Sequence, residues 1–186
     1  MKHDCVLFVD FQRDFLEADG RLTIGQLRAE RILEPANRLL EAARSARIAA
    51  LFIASEFSPS DWLGNFLRRH SALRGSPGAE MDPRIIADGF PVFSKATSDA
   101  FSNPELLEYL RKMEFSRLAL AGVMTEGCVR ATACNAVKHG FKVTAITDAV
   151  ESDTDWKKRL GFWMMRRNGI SMTNCARYLK ELSPDF

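Results

Sequence analysis

The sequence predicts an α/β fold: a six-stranded parallel sheet with helices on both faces. Three observations predict it. Six short apolar runs recur along the 186 residues, most of them closing on a polar residue or a glycine. The runs are continuously apolar, as strands buried on both faces are. The stretches between several of them carry helical spacing or helix start and stop signals, the alternation that gives parallel strands joined by right-handed crossovers.

The first strand is Cys5-Val6-Leu7-Phe8-Val9, ending at Asp10. Ile32, Ala36, Leu39, Leu40 and Ala43 then recur at helical spacing, which predicts a helix of about three turns with Pro35 in its first turn. The second strand, Ile48 to Ile53, ends at Ser55-Glu56. The stretch 55–92 has no clear period and carries Ser58-Pro59-Ser60, Arg74-Gly75-Ser76-Pro77-Gly78 and Asp82-Pro83. It reads as a long excursion, and Trp62, Leu63, Phe66 and Leu67 predict that part of it packs over a site or a neighbouring subunit. Pro91-Val92-Phe93 is the third strand and closes on Ser94-Lys95. Asn103-Pro104-Glu105 supplies a cap, a first-turn proline and a favourable charge for a helix through Leu106, Leu110 and Met113. Leu118 to Ala121 is the fourth strand, followed by a helix expected from Thr125 to His139 and stopped by Gly140. Val143 to Ile146 is the fifth strand. A helix from Asp155 to the stop at Asn168-Gly169 leads to the sixth, Ile170 to Met172. No linker, repeat or low-complexity segment divides the chain, so 1–186 reads as one domain.

Composition narrows the function. Twenty-six Lys and Arg against 24 Asp and Glu leave +2, too little for nucleic acid to be the default partner, and 46% hydrophobic with 27% charged residues excludes disorder. No apolar run approaches the ~20 residues of a spanning helix, and Met1-Lys2-His3-Asp4 does not open a signal peptide. The expected setting is cytoplasmic, with no membrane partner. Of the four cysteines only Cys128 and Cys134 are near each other, at a spacing that fits no zinc or redox motif, so Cys5, Cys134 and Cys175 read as structural.

Ligands of an open parallel sheet bind outside the carboxyl ends of its strands. Asp10, Lys95 and Cys128 follow strands one, three and four. With Thr125 as N-cap, Cys128 would be the third residue of a helix, where the positive end of the dipole lowers a thiol's pKa and the amides face a developing oxyanion. Asp10 is then the candidate base that takes the thiol proton and returns it to a leaving amine, with Lys95 balancing charge.

Val6-Leu7-Phe8-Val9-Asp10-Phe11-Gln12-Arg13-Asp14-Phe15, Lys95 with Ala100-Phe101, Gly122-Val123-Met124-Thr125-Glu126-Gly127-Cys128-Val129 with Thr132-Ala133, and Thr147-Asp148-Ala149 occur in an order that resembles the isochorismatase-like cysteine hydrolases. The likeness runs from about residue 4 to 182. It implies a Rossmann-like three-layer α/β/α fold, a catalytic triad of Asp10, Lys95 and Cys128, and a cis Val123–Met124 peptide that turns the Met124 amide, with that of Cys128, toward the oxyanion.

Departures narrow the chemistry. The family's nicotinamidases carry an aspartate and histidines as a metal site after strand two, whereas this chain reads Ser55-Glu56-Phe57-Ser58-Pro59-Ser60-Asp61-Trp62, so neither metal nor other cofactor is expected. A cysteine at the nucleophile position favours covalent attack on the carbonyl of a small amide or ureido substrate over vinyl-ether hydrolysis, the isochorismatase-type alternative. Asp99 stands where many members have serine before Ala-Phe. Candidate substrate contacts are Phe11, Phe15, Glu56, Trp62, Asp99, Phe101 and Thr125, with Trp156 a further aromatic. His3, His70 and His139 read as isolated. A homo-oligomer is expected. Two other classes compete: a nucleotide-binding or flavodoxin-like module, whose phosphate loop needs glycines after strand one where this chain reads Asp10-Phe11-Gln12-Arg13-Asp14, and a catalytically silent interaction protein that uses 55–92 as its surface.

Overall fold

The structure is a computed structural model, described here for residues 4–45 and 48–182. Its strands are β1 (Asp4–Val9), β2 (Ala49–Ser55), β3 (Val92–Lys95), β4 (Arg117–Gly122), β5 (Lys142–Val150) and β6 (Ser171–Thr173). They form one sheet in the order β3-β2-β1-β4-β5-β6, and every paired neighbour is parallel. The six strands and the α/β class read from the sequence are the observed ones. Winding runs outward from β1 in one direction and then from β4 in the other, so the switch point lies between β1 and β4.

Strand periodicity divides the interior into two cores. Val6 and Phe8 of β1 face one core with Ile32, Ala36, Leu39 and Leu40 of α2 (Gln26–Arg44), while Cys5, Leu7 and Val9 face the other. That second core also takes Leu106 and Leu110 of α4 (Pro104–Lys112), Ala133 and Ala136 of α5 (Arg130–Lys138) and Met165 of α6 (Asp155–Arg167). Asn103 caps α4, its side chain accepting from the Glu105 amide at 3.0 Å.

Three readings need correction. Helix α2 is longer than expected, starting at Gln26, so Pro35 lies inside it; its first two turns are mostly polar and gave no apolar period. The chain from Thr125 to Val129 forms a π-type turn with Gly127 outside helical geometry (φ −100°, ψ −110°), and the α-helix begins only at Arg130. Within 55–92, Phe57, Ala72 and Ile85 pack inward, but on α3 (Trp62–Leu67) Trp62, Leu63, Phe66 and Leu67 are exposed, so of the two placements read for these four it is packing over a site of the same chain that is corrected. The short helices α1 (Arg13–Leu16) and α7 (Cys175–Leu182) had no clear signal in the sequence.

Polar contacts also order the excursion. Gln12, fully buried, donates to the carbonyls of Ser55 at 2.8 Å and Ala79 at 2.7 Å and accepts from the Ser55 amide at 2.7 Å. Asp14 accepts from the Ala72 amide at 2.7 Å, and the Asp82 amide donates to the Phe11 carbonyl at 2.9 Å. A polar loop after β1 therefore holds the segment together with the inward-facing Phe57, Ala72 and Ile85.

Candidate active site

The carboxyl end of the sheet brings Asp10, Lys95 and Cys128 together. Lys95 Nζ donates to Asp10 Oδ2 at 3.0 Å and lies 3.3 Å from Cys128 Sγ. Lys95 and Asp10 are buried to 2% and 1% exposure, and Cys128 is half-buried. Strand β3 is two strands from β1, a gap of roughly 9–10 Å at the usual interstrand spacing, which a long side chain must cross. Ser55, at the end of the intervening β2, bridges it: its hydroxyl accepts from Lys95 at 2.7 Å and donates to Asp10 Oδ1 at 2.9 Å. The Thr97 carbonyl takes a further bond from Lys95 at 3.2 Å. An ammonium and a carboxylate buried this deeply survive desolvation only because they are paired and their remaining valences are filled.

Backbone geometry places the other two members. Asp10 leaves β1 at φ 57°, a left-handed conformation that aspartate tolerates better than most residues, and its amide donates to the Ile53 carbonyl at 2.9 Å. Gly122 closes β4 at φ 130°, where a Cβ would fall on the Val9 carbonyl, so only glycine permits the close approach of β4 to the end of β1. The Val123 amide donates to that carbonyl at 3.1 Å, and the Val123–Met124 peptide is cis. The turn carrying Cys128 is thus fixed against the strand that carries Asp10.

The thiol is not activated in the resting arrangement. Burial first, and then the carboxylate of Asp10, push it up to about 12, with Lys95 opposing. This overturns the lowered pKa expected from a helix terminus, because Cys128 precedes α5 and lies in the π-type turn. Burial works against the charge on Lys95, but Asp10 and Cys128 outweigh it and its pKa is raised. Cys5 and Cys175 are raised as well, mainly by burial, Cys175 to about 11. The folded chain therefore holds protons that the unfolded chain releases near 9.0. Stability is expected to be at its full value below pH 9 and to fall as pH rises toward 12, which denaturant midpoints across that range would check; a flat profile would contradict the assigned burial.

The remaining candidates separate. Phe11 and Phe15 lie in the core at 0% and 5% exposure, Phe11 edge-on to Phe8 with centroids 5.7 Å apart. Trp62 and Trp156 are exposed on α3 and α6. Phe101 packs on His139, centroids 4.9 Å apart, and on Phe141 at 6.1 Å. Asp99 caps a short 3-10 turn, accepting from the Phe101 amide at 3.0 Å, and burial raises its pKa. Thr125 is fully buried, and its hydroxyl caps nothing. Glu56 borders a cavity of about 320 Å³ that also touches Lys95, and lies 3.6 Å from Arg74.

A metal site does not fit the donors after β2. Asp61 is engaged by Arg68 and by the Gly64 amide, and among the described residues no three His, Cys, Asp or Glu side chains cluster. The sequence reading missed Ser55 as a bridging group, although it ends an apolar strand just as Asp10 and Lys95 do. It also missed the support behind the turn. The Thr125 amide donates to the Glu151 carbonyl at 3.0 Å, Ser152 Oγ donates to Glu126 Oε2 at 2.6 Å, and the buried Glu151 carboxylate is held by Arg28 at 3.3 Å and Lys158 at 3.2 Å.

Fold and site together define a doubly wound α/β protein with an aspartate, lysine and cysteine gathered at its switch point. The chain belongs to the isochorismatase family: the family model described as Isochorismatase domain matches residues 4–176. A protein of Arabidopsis thaliana named as a probable inactive nicotinamidase is 26% identical over 195 residues, covering 98% of this chain and 97% of the relative. A maleamate amidohydrolase of Pseudomonas putida is 26% identical, covering 78% of this chain and 70% of its own length. The crystal structure of an isochorismatase-like hydrolase from Alkaliphilus metalliredigens superposes with a TM-score of 0.88 at 22% identity, covering 97% of this chain and 99% of that one, and shares the fold. Family and relatives together are consistent with a hydrolase.

Proposed function

We propose that the protein hydrolyses a C–N bond of a small amide or ureido compound through a covalent cysteine intermediate, without a metal. The observation that carries this reading is the Lys95 ammonium held 3.0 Å from Asp10 and 3.3 Å from the Cys128 sulfur. In the resting site the thiol keeps its proton and Asp10 is its acceptor. Sulfur attack on the carbonyl carbon passes that proton to Asp10, and the oxyanion forms toward the Met124 and Cys128 amides. The tetrahedral adduct collapses, the C–N bond breaks, and the leaving nitrogen takes the proton from Asp10. Water then gives a proton to Asp10 and its hydroxyl to the thioester carbon, the acid departs, and the sulfur recovers the proton. Lys95 stays charged throughout and offsets the thiolate and carboxylate in turn.

The amidohydrolase name of the Pseudomonas relative supports an amide substrate, and the donor set after β2 supports the absence of a metal. Exposed Trp62, Leu63, Phe66 and Leu67 support a homo-oligomer, and four free cysteines support a reducing, cytoplasmic setting. The inactive relative favours the second reading, a silent member of the fold. A screen of small amides, ureido acids and maleamate for ammonia release separates them. Release that persists in chelator is expected. Loss in chelator with recovery on adding metal would refute the metal-free mechanism, and no release from any compound would leave the silent reading ahead. Ether cleavage without ammonia would favour the isochorismatase-type alternative.

A further inference from the structure

Gly161 lies in the middle of α6, where glycine weakens a helix and alanine would be the better choice. It is buried, and the reason for a glycine is steric. A Cβ there would come within 2.7 Å of Thr125 Cγ2 and 2.8 Å of both the Glu126 nitrogen and the Thr125 carbonyl carbon. Two of those three atoms are backbone, so the clash cannot be relieved by rotating a side chain. The backbone it meets is the turn that carries Cys128, and that turn cannot retreat freely. The Thr125 amide is tied to the Glu151 carbonyl at 3.0 Å, Glu126 Oε2 to Ser152 at 2.6 Å, and the Glu126 carbonyl accepts from Arg130 at 2.8 Å. On the far side the Val123 amide is held by Val9, next to Asp10.

We infer that Gly161 is a positioning residue: its missing side chain lets α6 close against the Thr125–Glu126 backbone and so sets the distance of Cys128 from Asp10 and Lys95. The inference rests on the hydrolytic reading above, but it has a readout that needs no substrate. Alkylation of Cys128 by iodoacetamide follows its thiolate, whose pKa depends on those two neighbours. An added methyl displaces the turn, and Cys128 with it, from its present distance to Asp10 and Lys95.

The test compares wild type, Gly161→Ala and Arg159→Ala, an exposed control on the same helix. Folding is checked by circular dichroism, and Cys128 alkylation is followed by peptide mapping between pH 6 and 11. In Gly161→Ala the alkylation profile is expected to move toward the ordinary thiol range, and kcat for any amide turned over to fall at least tenfold with KM changed less than twofold. Arg159→Ala is expected to match wild type. A folded Gly161→Ala with an unchanged alkylation profile overturns the inference, whatever its kcat. Should Gly161→Ala not fold, Gly161→Ala combined with Thr125→Ser decides. Loss of Cγ2 removes one of the three clashes and leaves the two against backbone, so the turn is still displaced: a shifted profile supports the assignment and an unchanged one overturns it. Cys128→Ala retaining full turnover would refute the hydrolytic reading while leaving the alkylation result standing.

Discussion

Cys128→Ala is expected to lower amide turnover by about 10³-fold or more while substrate is still bound. Removing a covalent nucleophile removes the reaction path, leaving only what the oxyanion amides and binding supply. The rest of the site should persist in this variant. Lys95 keeps its bonds to Asp10, Ser55 and Thr97, so the buried charge pair stays satisfied and the fold should be little changed. Steady-state ammonia release together with substrate binding by calorimetry measures both halves. Turnover within tenfold of wild type would mean that the sulfur is not the nucleophile.

The second large effect is expected at the other two groups, and its sign differs between them. Asp10→Asn removes the negative charge that helps hold the Cys128 proton, leaving Lys95 to favour the thiolate, so the thiol pKa should fall from about 12 and alkylation should begin at lower pH. Lys95→Ala removes the opposing cation, so the thiol should become harder to ionise and alkylation slower at every pH. Both variants should lose hydrolysis, Asp10→Asn because it cannot carry the proton even though its sulfur is more reactive. Both also leave a buried partner unpaired, in a pair whose side chains are 0% and 2% exposed, which costs about 3–5 kcal/mol when one member is removed. Chemical denaturation and alkylation profiles read the two effects separately. Profiles that moved in the same direction in both variants would show that the three groups do not titrate as one electrostatic set.

By itself the sequence determined the strands, the helices with clear start and stop signals, and the polar residues that end the strands. Those features are local: an apolar run must be buried on both faces, and Asn103-Pro104-Glu105 starts a helix wherever it lies. Because a parallel sheet aligns all carboxyl ends on one edge, Asp10, Lys95 and Cys128 could be named before any distance was known. The family resemblance added their order along the chain. Aromatic type did not separate core from surface, so Phe11 is buried and Trp62 is exposed against the same expectation.

What the tertiary structure alone decided depends on strand order and on contacts distant in sequence. Because β2 lies between β1 and β3, Ser55 becomes the bridge across which Lys95 reaches Asp10, and nothing near residue 55 encodes that neighbourhood. The π-type turn at Thr125–Val129 likewise depends on distant anchors at Val9, Glu151 and Gly161, which is why a local reading expected a helix starting at Thr125. The state of the thiol follows from the same cause. Position along a helix argued for a lowered pKa, but burial beside the Asp10 carboxylate reverses it, since desolvation and a nearby charge outweigh the field of a helix end in which Cys128 does not sit.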